Sequence, residues 1–189
     1  GTSLDDDLDM PRHTVSRNRV SSLGLCAMML GGIAILSSGC GEENQKIELA
    51  SETKAFENTT NKIGNAIKAI ADSLPYFEEG RPEIKQANLD VFWMNVTSMR
   101  LGLGRFQRSV DATPELQDVG RNLWVGRIQD NLSRAESAGA FKADGQVAQK
   151  LGDAFGKERV VEELAKIITL TTEIRTKLSI ESGTSDSSG

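Results

Sequence analysis

The chain has 189 residues and a formal net charge of −5, with acidic and basic residues interspersed along it. That length suits about one domain. A mildly acidic balance is typical of a soluble surface and argues against nucleic-acid binding, which needs a basic face. We therefore expect no nucleic-acid partner.

The first nine residues are acidic and precede a basic stretch with three arginines between Arg12 and Arg19. An acidic leader is unusual in front of an export signal. We interpret residues 1–9 as a leader or a misassigned start, with Met10 as the natural beginning. The alternative is a genuine but long basic region.

An apolar run of 14 residues follows, from Leu23 to Leu36. A membrane-spanning helix needs roughly 20 apolar residues, whereas a run of this length is typical of a signal peptide. The pattern predicts a signal peptide over residues 10–39, with a permanent anchor as the alternative.

The residues that end this segment are Ser37-Ser38-Gly39-Cys40. They resemble the lipobox of bacterial lipoprotein precursors, in which a hydrophobic residue and two small residues precede a cysteine. Ser38, Gly39 and Cys40 match the last three positions, while Ser37 departs from the leucine that is commonest at the first. The resemblance implies cleavage before Cys40 and attachment of a diacylglycerol to its thiol. An ordinary free thiol after a soluble signal peptide is the alternative.

The resemblance covers only residues 10–40, and no family is recognised for the domain that follows. It implies that the partner of Cys40 is a lipid membrane, because two or three acyl chains hold a protein firmly. We expect the protein in the cell envelope, on the periplasmic or outer-membrane side. The residue after Cys40 is Gly41 and not aspartate, which favours the outer membrane where sorting follows the enteric pattern.

Cleavage before Cys40 would also remove two reactive side chains, Cys26 and the only histidine, His13. The remaining chain could form no intramolecular disulfide and no cysteine zinc site. Catalysis that uses histidine as a base would be excluded as well.

The residues after Cys40 follow helical periodicity. We expect a polar tether over residues 40–45, a helical domain over residues 46–181 and a disordered, Ser/Gly/Asp-rich tail over residues 182–189. Mostly apolar residues that recur at spacings of about three and four predict the helices. The first has Leu49, Thr53, Phe56, Thr60, Ile63, Ile67, Ile70 and Leu74, and the second has Leu89, Phe92, Val96, Met99, Leu103, Phe106 and Val110. The third has Leu116, Val119, Leu123, Trp124, Ile128, Leu132 and Ala135, and the last has Val160, Leu164, Ile167, Thr171, Ile174 and Leu178.

Proline and polar residues predict where these helices begin and end. Pro75 should end the first helix and Pro82 should open the second. Thr113 is the expected N-cap of the third, with Pro114 in its first turn. Asp144 is the expected cap of a short helix that Gly156 ends, although residues 144–180 could instead form one long helix.

The predicted fold class is therefore all-α. Short connections between long helices favour an antiparallel bundle of four long helices, with a fifth short one if residues 144–180 divide.

Several candidate sites are expected to have ordinary structural roles at the surface or in the core. The adjacent carboxylates Glu78-Glu79 and Glu162-Glu163 do not face each other on a helix, so both pairs are expected as solvated surface. Trp93 is a possible partner contact, but core packing is the favoured interpretation. The six arginines between Arg100 and Arg134 alternate with acidic residues, which predicts a mixed, salt-bridged surface.

No catalytic residue, cofactor or metal ligand is expected, and we do not expect an enzyme. The sequence favours a lipid-anchored lipoprotein with a binding or scaffolding helical domain and an unknown protein partner. The alternative is a small-molecule-binding bundle, with space left between helices near four glycines. These are Gly102, Gly104, Gly120 and Gly126.

Overall fold

The computed structural model describes residues 39–180, and it describes side chains from Gly41 onward. The predicted leader, nearly all of the predicted signal peptide and the predicted tail lie outside the described residues. Within that range the chain is helical and contains no strand, so the all-α prediction is confirmed. The α-helices are α1 (Gly39–Ser73), α2 (Gln86–Ala112), α3 (Leu116–Arg127), α4 (Gln129–Ser137), α5 (Gln146–Phe155) and α6 (Lys157–Lys177), with a 3-10 helix at Leu74–Phe77.

The most extensive contact is between α1 and α2. Midway along α1, Phe56 packs on Phe106, with ring centroids 4.6 Å apart. Just after its end, Phe77 packs on Phe92 at the same distance. Because the contact partner moves back along α2 as the chain moves forward, the two helices run in opposite directions.

The helices α2 and α6 differ from this pair in their relative direction. Arg100 bonds Glu163 at 2.7 Å, and Gln107 bonds Glu173 at 2.6 Å. The residue numbers of both partners increase from the first contact to the second, so α2 and α6 run side by side in the same direction.

The segment α3–α4 packs along α1 in the same direction as α1. Gly120 lies against Phe56, and further along Arg134 bonds Asp72 at 2.6 Å. The short helix α5 lies near the start of α2, where Phe155 stacks on Trp93 with ring centroids 5.5 Å apart.

The predicted apolar stripes form the core. All seven stripe residues of α2 and all six of the last helix are buried. In α1 the stripe is buried from Phe56 onward, whereas Leu49 is 37% exposed. The buried polar residues Thr60 and Thr171 each donate a hydrogen bond to a carbonyl one turn earlier in their own helix.

The predicted tether over residues 40–45 is helical instead, because α1 begins at Gly39. Glu42 lies in the first turn, where a carboxylate is stabilised by the positive end of the helix dipole. Gln45 and Lys46 are good helix formers. Local propensity therefore extends the helix through the segment expected as a connection.

Two predicted helix starts are displaced toward later residues. The chain stays extended through Lys85, so α2 begins at Gln86 and not near Pro82, while Ile84 packs against the core. Thr113 does not cap α3. Its hydroxyl donates to Glu52 at 3.2 Å, and α3 begins at Leu116 after a turn.

The predicted third helix is divided at Ile128, whose φ of −116° separates α3 from α4. The Ile128 N–H still donates to Trp124 and its carbonyl still accepts from Leu132, each at 2.9 Å. The division is therefore a bend in a hydrogen-bonded path. It lies beside Gly64 of α1, which meets the carbonyl of Arg127.

Residues 144–180 form two helices. Gly156 has a φ of 96°, a conformation that glycine adopts without strain, and it separates α5 from α6. Asp144 does not cap α5, because the N-cap is Gly145. The Gly145 N–H is held in a turn by Lys142, at 3.1 Å, so the helix begins one residue later than predicted.

We predict that Gly102→Ala and Gly64→Ala each lower the free energy of unfolding by about 1–3 kcal/mol through overpacking. A Cβ at Gly102 would lie 2.6 Å from Ile63 Cγ1, and one at Gly64 would lie 2.8 Å from the carbonyl oxygen of Arg127. Urea denaturation followed by circular dichroism measures both changes.

The matched control is Gly126→Ala, since nothing lies within 4 Å of a Cβ there. Alanine has a higher helix propensity than glycine, so this variant should be neutral or more stable by up to about 1 kcal/mol. Equal losses in all three variants would contradict the close helix approaches.

Candidate functional site

The candidate lipid-attachment residue, Cys40, lies in the first turn of α1, and its side chain is outside the described part of the chain. The next twelve residues, 41–52, are all exposed, including Ile47 at 63%. We call this segment the stalk. At 1.5 Å per residue it is about 18 Å long. In the described part of the chain, no helix is both long and apolar enough to cross a bilayer.

A groove of about 630 Å³ lies on the surface between α2 and α6. We call it the α2–α6 groove. Its lining residues are Arg100, Leu101, Gly104, Arg105, Gln107, Arg108, Glu162, Ala165, Lys166, Thr169 and Leu170. The apolar part of this lining is Leu101, Ala165 and Leu170, of which Leu101 is 45% exposed. The groove therefore combines an apolar floor with four cationic side chains.

Two of these four cations are neutralised by carboxylates of α6. Arg100 pairs with Glu163 at 2.7 Å, and the Glu163 side chain is only 13% exposed. Lys166 pairs with Glu162 at 2.7 Å and lies 3.9 Å from Glu163. The hydrogen bond and charge of Lys166, and more weakly the charge of Arg100, hold the pKa of Glu162 below its ordinary value. Glu162 therefore remains a carboxylate at neutral pH.

The other two cations, Arg105 and Arg108, are exposed and have no carboxylate within 4.0 Å among residues 39–180. They lie three residues apart, which places them on one face of α2. The nearest acidic residue on α2 is Asp111, and it pairs with Lys177. The positive charge of Arg105 and Arg108 is therefore available to a ligand.

Two further grooves adjoin this pair on the side facing α1. Both Arg105 and Arg108 line a cavity of about 400 Å³ that reaches Glu52 and Thr113. A second cavity of about 580 Å³ has a polar lining that includes Asn58, Asn65, Asn95, Ser98 and Arg105. Arg105 thus belongs to all three grooves and forms the ridge between them.

The four glycines named as candidate cavity sites have different surroundings. Gly104 lines the α2–α6 groove, and Gly102 lines the polar cavity beside α1. Gly120 faces the rings of Phe56 and Phe106 at 3.3 and 3.4 Å from an added Cβ, so packed side chains fill that space. Gly126 has no neighbour within 4 Å of an added Cβ.

Other predicted surface features have mixed outcomes. Trp93 is 8% exposed and packs in the core, as favoured, with Arg159 5.5 Å from its ring centroid. Glu78 and Glu79 are exposed, as predicted. Glu163 is wrongly predicted as solvated surface, because Arg100 of α2 covers it.

The predicted mixed, salt-bridged surface is found at Arg100, Arg121 and Arg134, each of which pairs with a carboxylate. Arg127 instead bonds the amide oxygen of Asn61. The pairing is also not found at Arg105 and Arg108, which sequence reasoning did not single out. The signal that could have found Arg105 is local, since no acidic residue lies three or four positions away from it.

The described residues contain no group of three or more His, Cys, Asp or Glu side chains placed to hold a metal ion. Comparisons with protein-family models, with curated proteins and with solved structures find no match to this chain.

We predict that Arg100→Met lowers the free energy of unfolding by about 1–3 kcal/mol, because it leaves the largely buried Glu163 carboxylate without its closest cation. The control is Arg81→Met. Arg81 lies 3.9 Å from Glu78 with both side chains more than half exposed, and its loss should cost at most about 0.5 kcal/mol. Urea denaturation compares the two variants. Equal losses would mean that burial of Glu163 carries no energetic weight.

Proposed function

We propose that this protein is a bacterial lipoprotein in which acylated Cys40 holds a non-catalytic, all-helical binding or scaffolding domain at a membrane of the cell envelope. The observation that carries the proposal is the position of Cys40 at the start of a continuous helix. The following residues, 41–52, are exposed throughout and lead directly into the core. A lipid on Cys40 would thus be joined to the domain by a helical spacer.

The finer arrangement belongs to the same proposal. Counting α3 and α4 as one bent segment, the four long segments α1, α2, α3–α4 and α6 alternate in direction along the chain. We take them as an antiparallel four-segment bundle, with α5 as the short fifth helix beside the start of α2. The end of the domain that bears Glu52 and Thr113 would then face the lipid.

A binding role is supported by the distribution of polar groups. The chain has no histidine after His13. Among the described residues, the buried polar ones are Thr60 and Thr171, and each bonds its own helix. Titratable side chains lie at the surface or in pairs such as Arg100–Glu163. An external surface is therefore a better candidate for function than the interior.

The second candidate is small-molecule binding, with the same anchor. It is favoured by the α2–α6 groove, because its volume of about 630 Å³ is within the usual range for ligand sites. The two candidates differ in what occupies this surface, a protein partner or a small ligand.

The anchor is tested by expressing the full chain in a bacterial host that is grown with radiolabelled palmitate. We expect label in the wild-type protein and none in Cys40→Ala, because the thiol of Cys40 is the proposed attachment point. The wild-type protein should leave the membrane fraction only with detergent, since two or three acyl chains hold firmly.

The matched control is Cys26→Ala, which removes the other cysteine of the chain. This variant should be labelled like the wild type. Equal labelling of Cys40→Ala and the wild type would overturn the lipid anchor.

A further inference from the structure

The geometry points to a ligand class for the α2–α6 groove: a small amphiphilic anion whose carboxylate or phosphate head binds Arg105 and Arg108 while its apolar body covers Leu101, Ala165 and Leu170. This inference rests on the small-molecule candidate for the function. It is carried by three properties of the groove, which are its uncompensated charge, its apolar floor and its length.

The charge argument follows from the pairing of cations across the groove. Arg100 and Lys166 are held by Glu163 and Glu162, so neither needs a ligand. Arg105 and Arg108 have no carboxylate within 4.0 Å in the described range. Two guanidinium groups on adjacent turns of one helix face can both donate to the same carboxylate or phosphate, and such charge-assisted bonds are about twice as strong as neutral ones.

Among residues 39–180, no carboxylate lies within 4.0 Å of the arginine pair. Glu52 lines the adjoining cavity and accepts a hydrogen bond from Thr113 at 3.2 Å. Asp111 is held by Lys177. An anion that enters the groove would therefore find a local excess of positive charge, although the chain as a whole is acidic.

The apolar floor distinguishes this groove from a site for a purely polar anion. Leu101 is 45% exposed, and Leu170 is partly buried against the core. Gly104, between Leu101 and the arginine pair, contributes no side chain, and Arg108 Nη1 lies 3.5 Å from the position of an added Cβ there. Covering this apolar surface would add a hydrophobic contribution to binding. A ligand with an apolar body should therefore bind more tightly than an inorganic anion.

The length of the groove favours a small ligand over a macromolecule. Its lining extends over residues 100–108 of α2 and 162–170 of α6. At 1.5 Å per residue, each stretch is about 12 Å long, or little more than two helical turns. A docked peptide helix would need a longer apolar surface, whereas a single alkyl chain with one charged head fits this length.

The experiment is isothermal titration of the full chain, made by cell-free synthesis without lipid attachment, with decanoate and with decyl phosphate. We expect saturable binding of both. The neutral alkyl compound octyl glucoside and inorganic phosphate should each bind at least about tenfold more weakly, because each lacks one half of the interaction. Equal affinity for octyl glucoside and decanoate would overturn the role of the arginines. Absence of saturable decanoate binding would overturn the proposal.

The variant Arg105→Gln/Arg108→Gln should weaken decanoate binding by about tenfold or more. The matched control, Lys46→Gln/Lys54→Gln, removes the same charge from exposed positions of α1 and should bind as the wild type does. Unchanged circular dichroism would show that both variants fold. Equal binding by the arginine variant and the wild type would refute the site.

A photoreactive diazirine analogue of decanoate locates the bound chain by mass spectrometry. We expect crosslinks to peptides of α2 and α6, and crosslinks confined to the apolar run 23–36 would refute the site. The palmitate experiment on Cys40 separates the two proposals. If Cys40 is labelled and decanoate does not bind, the ligand class alone is wrong. If decanoate binds and Cys40 is not labelled, the anchor alone is wrong.

Discussion

The packing of α2 between α1 and α6 is the constraint on which the rest of the structure depends. Its stripe of seven buried residues turns one face inward, and the close approach at Gly102, where Ile63 occupies the space of a side chain, holds α1 against it. The opposite face of α2 is thereby fixed in solvent. That face carries Leu101, Arg105 and Arg108, so the candidate binding surface is a consequence of core packing.

Ion pairing then determines which charged side chains of this surface are available to bind a ligand. The pair Arg100–Glu163 joins α2 to α6 with both side chains partly buried, so it contributes to the helix interface and is not free to bind. Arg105 lies five residues further along α2, and no carboxylate of residues 39–180 is within 4.0 Å of it. A displacement of about 1.4 helical turns thus separates an arginine that stabilises the fold from one that can bind an anion.

The apolar periodicity was sufficient to predict the long helices and most of the core. It could not predict how far each stripe is covered, because that depends on which helices reach it. Leu49 and Thr53 continue the α1 pattern, yet Leu49 is 37% exposed because the stalk projects beyond the packed helices. Leu101 lies outside the apolar stripe of α2, and it is 45% exposed because α2 and α6 leave a groove there.

The helix boundaries and the ion pairs were harder to predict for the same physical reason. Thr113 has the sequence features of an N-cap, but its hydroxyl bonds Glu52, a residue of α1 that no local pattern places beside it. The pairing of Arg100 with Glu163 joins residues 63 positions apart. Local sequence rules describe interactions within one helix, whereas these contacts form between residues of different helices.

The stalk and the groove together limit where a ligand could come from. If Cys40 is acylated, the stalk places Glu52 about 18 Å along the helix from the lipid. The groove lies on the side of the domain, and its arginine pair adjoins the cavity that contains Glu52. With α1 perpendicular to the membrane plane, Arg105 and Arg108 would thus lie beyond the reach of the lipid headgroups that surround the anchor. A ligand would therefore reach the groove from the aqueous phase, and its charged head would keep it soluble until Leu101 and Leu170 cover its apolar body.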